Sequence, residues 1–212
     1  MAQVFFVHPE HPQPRLVAMA AERIRHGGLA AFPTDSAYAL GGHLGDAHLL
    51  ERIRRIRGVD ERHHFTLMCR DLSEIATYAR VDNAQYRLLR ATTPGPYTFI
   101  LEGTRELPRR VLHPKRKTIG LRIPSHPVVL ALLQELDEPL LSSTLILPGE
   151  EAPLAEPDEI CRRLDKLVDL VIDAGPSSAG ATTVINLAGD TPELVRAGRG
   201  SLAPFGLNSG LE

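Results

Sequence analysis

The 212 residues of the chain suffice for one sizeable hydrophobic core, and a composition of 43% hydrophobic and 24% charged residues is that of an ordinary globular protein. No stretch approaches the roughly 20 apolar residues of a membrane span, the opening MAQVFFVHPEHP lacks the basic start of a signal peptide, and two cysteines outside any CxxC pattern exclude a disulfide framework. The net charge of −2 argues against wholesale coating of nucleic acid, and the two thiols favour a reducing, cytoplasmic compartment.

Helical and strand patterns alternate along the first half of the chain. An apolar face at helical spacing predicts a helix over residues 15–26, which the pair Gly27-Gly28 ends. Strands are predicted over LAAFPT (29–34) and FTLMC (65–69). Three more helices are predicted: one capped by Asp46 and ended by Gly58, one capped by Asp71 with Glu74, and one that begins at Asp82 or Asn83. This alternation is typical of an α/β protein.

The second half is richer in strands. The predicted strands are YTFILEG (97–103), KTIGLRIP (117–124), PLLSSTLIL (139–147), LVDLVIDAG (167–175) and TTVINLAG (182–189), which the short LVRAGRG (194–200) accompanies. Two helices lie between them, one begun by Ser125 and one over DEICRRLDK (158–166). No internal repeat or low-complexity linker interrupts the pattern, so the sequence predicts one domain.

Common catalytic signatures do not occur in the sequence, which contains no GxxxxGK[ST] loop, no GxGxxG after a strand, no GxSxG elbow and no HExxH helix. The histidines of HPEHP lack the helical spacing of metal ligands, and the adjacent His63 and His64 would point apart on a strand. The sequence therefore predicts no metal site.

Hydroxyl and guanidinium side chains stand where predicted strands and helices end, and ligands of α/β sheets bind beside strand ends. Nearly every cation is Arg, whose planar fork suits phosphate and carboxylate, although codon bias would give the same surplus. Each position alone fits an ordinary role, such as a turn-forming Thr or an Arg that complements a helix dipole. The positions are Thr34-Asp35-Ser36, Arg55 and Arg57, Thr118 and Arg122, Ser142-Ser143-Thr144, Thr182-Thr183, and Arg196.

The stretch FPTDSAYALGG (32–42) combines a polar cluster with small residues and a Gly pair. Thr34 places a hydroxyl at the end of the predicted strand. The small residues that follow predict a turn at which a ligand approaches the backbone.

Seven segments in this order resemble the YrdC-like family, which includes threonylcarbamoyl-AMP synthases: FPTDSAYALG, RRIRGVDERHHFTLMC, TPGPYTFIL, TIGLRIPSHP, EPLLSSTLILPG, TTVIN and VRAGRG. The segments FFVHPEHPQPR, HHFTLMCRDLSE and PRRVLHPKRKTIG resemble the YciO branch of that family. The resemblance implies a single YrdC/RibB-like domain over about residues 10–205, with 206–212 as a tail. It also implies a twisted, mixed α/β sheet with flanking helices and a concave basic groove.

Active members of the family join L-threonine, bicarbonate and ATP into threonylcarbamoyl-AMP, with magnesium present, for the threonylcarbamoyladenosine modification of tRNA. Members are also associated with the binding of double-stranded RNA or tRNA. By position, the resemblance implies a threonine site of Thr34, Arg122 and Thr182. It implies an ATP site of Arg55, Arg57, Thr118, Ser142, Thr144 and Arg196, of which Arg55, Arg57 and Thr144 are also catalytic.

The sequence departs from the family at its signature tetrad, Lys-x-Arg with Ser-x-Asn, which here is Arg55-Ile56-Arg57 with Thr144-Leu145-Ile146. The amide lost at Ile146 would cost roughly 1.5 to 3 kcal/mol for one contact to a charged ligand, and Asp35 replaces a more usual Glu. Three hypotheses therefore stay open: a threonylcarbamoyl-AMP synthase, a related ATP-dependent or nucleotide-hydrolysing enzyme for another acid, and a non-catalytic RNA-binding module. The retained pocket residues favour an enzyme, and Ile146 with the Arg-rich connector 105–117 favours the RNA module.

Overall fold

Six α-helices form where the sequence places apolar faces between capping residues. A computed structural model describes residues 1–178 and 180–207. The helices are α1 (Pro14–Arg25), α2 (Leu49–Arg57), α3 (Leu72–Tyr78), α4 (Asn83–Thr92), α5 (Pro127–Leu136) and α6 (Pro157–Leu164), with short 3₁₀ turns at Arg109–Val111 and Ala203–Phe205.

Most helix ends follow the predicted capping chemistry. Asp82 and Gln85 form a complete capping box at the start of α4, and Gly58 ends α2 in the left-handed conformation at φ 63°. Asp46 does not cap α2 directly, because its carboxylate accepts the backbone N–H of His48, which occupies the cap position. The helix α2 thus begins at Leu49.

The predicted start of α5 at Ser125 is wrong by one residue. His126 is the cap, and its Nδ1 accepts the backbone N–H of Val128. The backbone N–H of Ser125 is instead donated to the carboxylate of Asp35, at 3.1 Å. The chain before α5 is therefore fixed to the polar cluster at residues 34–36.

Ten strands form one mixed sheet. They are β1 (Gln3–Phe6), β2 (Ala30–Phe32), β3 (Ala39–His43), β4 (Thr66–Met68), β5 (Tyr97–Glu102), β6 (Thr118–Arg122), β7 (Leu140–Thr144), β8 (Leu170–Asp173), β9 (Thr183–Asn186) and β10 (Glu193–Arg196). Their order is β1-β8-β2-β3-β7-β4-β6-β5-β9-β10. The pairs β1/β8, β2/β8, β4/β6 and β5/β9 are parallel and the other pairs antiparallel, so the predicted α/β fold with a mixed sheet is confirmed.

The strand β3 corrects the interpretation of the Gly pair. The small residues after Thr34 were expected to let the chain turn; the turn forms at residues 34–37, whereas Ala39–His43, with the Gly pair, form a buried strand between β2 and β7. A Cβ atom on Gly41 would lie 2.7 Å from the carbonyl oxygen of Leu141, and one on Gly42 would lie 2.9 Å from Cδ1 of Leu49. The two glycines therefore serve close packing of the protein on itself rather than the approach of a ligand.

The helices cover the two faces of the sheet unequally. One apolar cluster packs α1 and α5 against the β1 side of the sheet, with Phe32, Leu140 and Ile172 among its buried members. The larger cluster lies on the other face and includes apolar residues of α2, α3, α4 and α6. Ser142 and Thr144 follow Leu140 on the same face of β7, because alternate residues of a strand share a face. Beyond β7 this face is free to hold the candidate site.

Two further features complete the fold. In the described part of the chain, no helix is both long and apolar enough to cross a membrane. The domain limits 10–205 stay a prediction, although β1 lies before them and pairs with β8. Of the predicted tail 206–212, residues 208–212 lie outside the described residues.

Candidate functional site

A groove of about 440 Å³ crosses the uncovered face of the sheet. Its floor comes from successive strands of the order β7-β4-β6-β5-β9-β10, and the floor residues are Thr144, Thr66, Gly120, Thr98, Ile100, Thr182, Val184 and Val195. At Gly120 a Cβ atom would lie 2.9 Å from the carbonyl oxygen of Phe65 and 3.0 Å from Oγ1 of Thr66. The floor is thus lined by hydroxyls and small or apolar side chains.

The walls of the groove carry cations. Arg57 lies at the end of α2, Arg62 in the loop that follows it, and Arg196 at the end of β10. Among the described residues, no Asp or Glu lines the groove, and none of these three arginines forms an ion pair. Burial and the nearby Arg196 lower the pKa of Arg57 to about 10, at which it remains a cation near pH 7. The groove therefore suits an anionic ligand.

Arg57 is held by neutral partners. Its Nη1 donates to Nε2 of His63 at 2.7 Å and to Oγ of Ser143 at 2.5 Å, and its Nε lies 3.4 Å from the carbonyl oxygen of Ile146. Nε2 of His63 also lies 2.9 Å from Oγ of Ser143. At the position where the resemblance expects an amide, the chain thus presents a backbone carbonyl to Arg57.

His64 forms a second contact set at the mouth of the groove. Its Nε2 lies 3.1 Å from Oγ1 of Thr118, and its ring stacks on His113 with centroids 4.7 Å apart and an interplanar angle of 19°. Burial and the neighbouring cations lower the pKa of His64. His63 and His64 lie in the loop before β4, not on the expected strand, and both line the groove while they contact different partners.

An inner pocket of about 20 Å³ opens beside the groove. Four threonines line both spaces: Thr66, Thr98, Thr144 and Thr182. The inner pocket also contains Arg122, whose guanidinium Nη2 lies 2.8 Å from Oδ1 of Asp35 with both side chains largely buried. Burial lowers the pKa of Arg122, while Asp35 opposes that shift. Because the two spaces share these four threonines, the inner pocket adjoins the groove directly.

The buried ion pair of the inner pocket is incompletely hydrogen-bonded. Nε of Arg122 and Oδ2 of Asp35 have no hydrogen-bond partner among the described residues. Buried polar atoms normally have partners, and the exceptions frequently mark functional sites. Arg122 lines the inner pocket and Asp35 lies behind it, so a carboxylate bound in the pocket would complement Arg122.

The structure brings most of the predicted site residues together. Arg57, Thr144, Thr182 and Arg196 line the groove, and Arg122 and Ser142 line the inner pocket. Arg196 donates to the carbonyl oxygen and to Oγ1 of Thr182 at 3.0 and 3.1 Å, and Oγ1 of Thr182 also lies 3.0 Å from that of Thr98. Residues implied for two ligands thus meet in one place.

Three predicted residues stand apart from the two spaces. Arg55 is exposed on α2 and lines neither of them. Thr118 is buried, and its contact with the groove is the hydrogen bond to His64.

Thr34 forms a local turn. Its Oγ1 donates to the carbonyl oxygen of Ala37 at 2.6 Å and accepts the backbone N–H groups of Ser36 and Ala37. The roles of Arg55, Thr118 and Thr34 toward a ligand stay predictions.

Sequence reasoning named Ser143 only as a polar strand end, and it gave no ligand role to five further groove residues, Arg62, His63, His64, Thr66 and Thr98. Thr66 and Thr98 lie inside predicted strands, where alternation would have placed them on the floor once the uncovered face was known. The partners of His63 come from α2 and β7, and no sequence spacing joins those elements. Only the fold identifies this contact.

The lining residues fit ATP but offer no ligand set for magnesium. Three guanidinium groups suit a triphosphate, whereas Mg²⁺ prefers carboxylate and phosphate oxygens. Among the described residues, no group of three or more His, Cys, Asp or Glu side chains could hold a metal ion. Magnesium at this site would therefore be coordinated by the phosphates of the nucleotide.

Comparisons with known proteins agree with this fold. The family model Sua5_yciO_yrdC, described as telomere recombination, matches residues 22–198. YciO of Escherichia coli strain K12 is 54% identical over 97% of this chain and 100% of its own length, and a crystal structure of E. coli YciO matches with a TM-score of 0.94. The predicted likeness to the YciO branch is confirmed.

More distant relatives are named for an enzymatic activity. The threonylcarbamoyl-AMP synthase of Bacillus subtilis strain 168 is 27% identical over 86% of this chain and 53% of its own length. A structure of Pyrococcus abyssi Sua5 complexed with L-threonine matches with a TM-score of 0.85 and 24% identity, over 92% of this chain and 57% of that one. The likeness to Sua5 shows a shared fold.

Proposed function

The chain belongs to the Sua5, YciO and YrdC family, and on that premise we propose that it binds ATP in the groove and an amino acid in the inner pocket. It joins them with bicarbonate into threonylcarbamoyl-AMP, with L-threonine as the first candidate acid. The named activity of the B. subtilis relative supports this substrate class. The two free cysteines, Cys69 and Cys161, favour a reducing, cytoplasmic setting for it.

One observation carries the proposal: three arginines reach a groove whose described lining contains no carboxylate. Arg57 is partly buried and Arg62 and Arg196 are exposed, and three like charges that face one groove without a carboxylate between them favour a polyanion that binds there. Charge-assisted hydrogen bonds from guanidinium to phosphate are short and strong. The volume of about 440 Å³ lies within the range of small-molecule sites.

The inner pocket supports an amino acid as the second ligand. The guanidinium of Arg122 would bind the carboxylate, and the hydroxyls of Thr98 and Thr182, which also line the pocket, would accept a hydrogen from the amino group. Because the pocket measures about 20 Å³ with Asp35 on Arg122, the amino acid must displace part of that ion pair as it binds. Thr182 separates the two ligands and contacts Arg196.

The chemistry requires no covalent intermediate with the protein. The amino nitrogen of threonine and bicarbonate give a carbamate with loss of water. A carbamate oxygen then attacks the α-phosphorus of ATP, the bond from that phosphorus to the oxygen bridging the α- and β-phosphates breaks, and pyrophosphate leaves. Arg57 and Arg196 would stabilise the charge that spreads over the phosphoryl oxygens, while magnesium arrives on the phosphates themselves.

The test is the release of pyrophosphate by the full chain from ATP, magnesium and bicarbonate, with each of the 20 amino acids in turn. Release that depends on threonine is the expected result. Pyrophosphate release with only a different amino acid would mean that this amino acid, and not threonine, is the substrate, while the ATP chemistry stays as proposed. No release with any amino acid, together with no binding of ATP, would refute the proposal.

A second candidate function, binding of double-stranded RNA or tRNA, is favoured by one surface. Lys115, Arg116 and Lys117 are exposed beside the mouth of the groove, where burial and then these cations with Arg62 lower the pKa of His113. Phosphate-driven binding weakens steeply as salt rises. The triple variant K115A/R116A/K117A is expected to reduce the slope of log affinity against log salt by about 2 to 3; an unchanged slope would exclude this surface.

A further inference from the structure

Arg57 extends toward the groove without a carboxylate partner in the described part of the chain. Its Nη1 is bound by His63 and Ser143 at 2.7 and 2.5 Å. These partners come from the loop before β4 and from β7, while Arg57 ends α2. Three elements distant in sequence thus fix one guanidinium nitrogen.

The contact defines the state of His63. Because Arg57 can only donate, Nε2 of His63 must carry a lone pair, and the single ring proton lies on Nδ1. Burial, then the charge of Arg57, lowers the pKa of His63 to about 4; His64 and Arg54 act in the same direction, and Asp60 opposes them. His63 is therefore neutral near pH 7 while the groove holds no anion.

This inference rests on the proposed function. We propose that His63 is a positioning residue, which holds Arg57 ready for a polyphosphate in the free protein and takes up one proton at Nε2 when the polyphosphate binds.

The proton uptake follows from charge balance. A triphosphate brings several negative charges beside Arg57 and so neutralises its guanidinium. Arg57 then no longer repels a positive charge on the ring of His63. Once Nε2 is protonated it can no longer accept from Arg57. The Nη1 hydrogen is released toward a phosphate oxygen, and Nε2–H donates to Oγ of Ser143 or to the same phosphate. The proton comes from the solvent and returns to it when the ligand leaves.

Calorimetry of ATP binding to the full chain at pH 5.5, in two buffers with different ionisation enthalpies, counts the protons taken up. His63→Gln is the matched variant, since its amide oxygen still accepts from Arg57 but does not titrate. The wild type is expected to take up about one proton more than H63Q, because protonation of the nucleotide itself is common to both. The variant H26Q, at the exposed end of α1, is expected to match the wild type.

The positioning role is tested at pH 7.5, where His63 is neutral in the free protein. His63→Leu removes the acceptor and is expected to weaken ATP binding roughly tenfold or more relative to H63Q, with thermal unfolding used to show that both variants are folded. Equal proton counts in wild type and H63Q would overturn the proton uptake. Equal ATP affinities of H63L and H63Q would overturn the positioning role.

The same experiments separate this inference from the function on which it rests. If the wild type binds ATP but the His63 variants change neither the number of protons taken up nor the ATP affinity, only the role of His63 is refuted. If wild type does not bind ATP, the proposed function and the inference are lost together.

Discussion

The groove and the inner pocket share four threonines, but the arginines of the groove have no carboxylate partner among the described residues, whereas the arginine of the inner pocket has one. In the groove, Arg57 and Arg196 bind hydroxyls, a neutral imidazole and a carbonyl oxygen. In the inner pocket, Arg122 is paired with Asp35 at 2.8 Å. The groove is thus preorganised for a ligand that supplies the missing negative charge, whereas the inner pocket is internally neutralised and opens only to a ligand that replaces one half of its ion pair.

The largest effect is expected at the inner pocket. Arg122→Leu leaves the buried carboxylate of Asp35 without its counter-ion and should lower the free energy of unfolding by about 3 to 5 kcal/mol, measured by urea denaturation. Pyrophosphate release that depends on an amino acid should be abolished.

The double variant R122L/D35N controls for folding. The change Asp35→Asn removes the stranded charge, and the amide oxygen that replaces the carboxylate can still accept the backbone N–H of Ser125. Most of the lost stability should therefore return while turnover stays absent. A double variant with restored turnover would contradict the role of Arg122 in binding the acid.

The next effect concerns pH. The pKa of His63 is lowered from 6.5 to about 4 in the folded protein, so its contribution to stability is present above pH 6.5 and is lost as the pH falls toward 4. The loss amounts to up to about 3 kcal/mol. The measurement compares the stability of wild type and H63Q at pH 7.5 and 4.5. Parallel losses in the two proteins would show that His63 is not held neutral by the groove.

Replacing Arg57 should weaken ligand binding without lowering stability, whereas replacing Arg122 lowers stability. Arg57→Met is expected to weaken ATP binding by about 1.5 to 3 kcal/mol, or ten- to a hundredfold, and to leave the free energy of unfolding unchanged or higher, because no buried anion is stranded. Calorimetry and urea denaturation measure the two quantities. Arg87→Met, on the exposed face of α4, is the matched control. A loss of stability as large as that of R122L would remove the distinction between the two regions.

The smallest effect is that of salt. Raising ionic strength from about 50 to 300 mM shortens the screening length, so ATP affinity at the open groove should fall several-fold. The stability difference between wild type and R122L should stay the same, since a buried pair is little screened. Equal salt sensitivity of both quantities would indicate that the Arg122 pair is in contact with solvent.

Sequence reasoning predicted the helices well because their information is local. Asp82 and Gln85 cap α4 as their spacing requires, and Gly58 ends α2 in the conformation that favours glycine. The strand β3 could not be recognised, because the benefit of Gly41 lies in the approach of Leu141, about 100 residues away. Pairwise packing of this kind leaves no periodic signal.

The residues of the site were predicted for a different reason, namely the order of the family motifs along the sequence. The fold then determines which of these residues face the groove. Arg55 and Arg57 are two positions apart on one helix and so point to different sides, which explains why only Arg57 lines the groove. The contact of His63 with Ser143 depends on the placement of a loop against β7. Neither composition nor spacing specifies that placement.

A crystal structure of the full chain with magnesium and an ATP analogue that cannot be cleaved between the α- and β-phosphates tests the central claim most directly. We expect the triphosphate to lie in the groove, with phosphate oxygens at hydrogen-bond distance from the guanidinium groups of Arg57 and Arg196. Phosphates bound outside the groove, with Arg57 still donating to both His63 and Ser143, would contradict that claim.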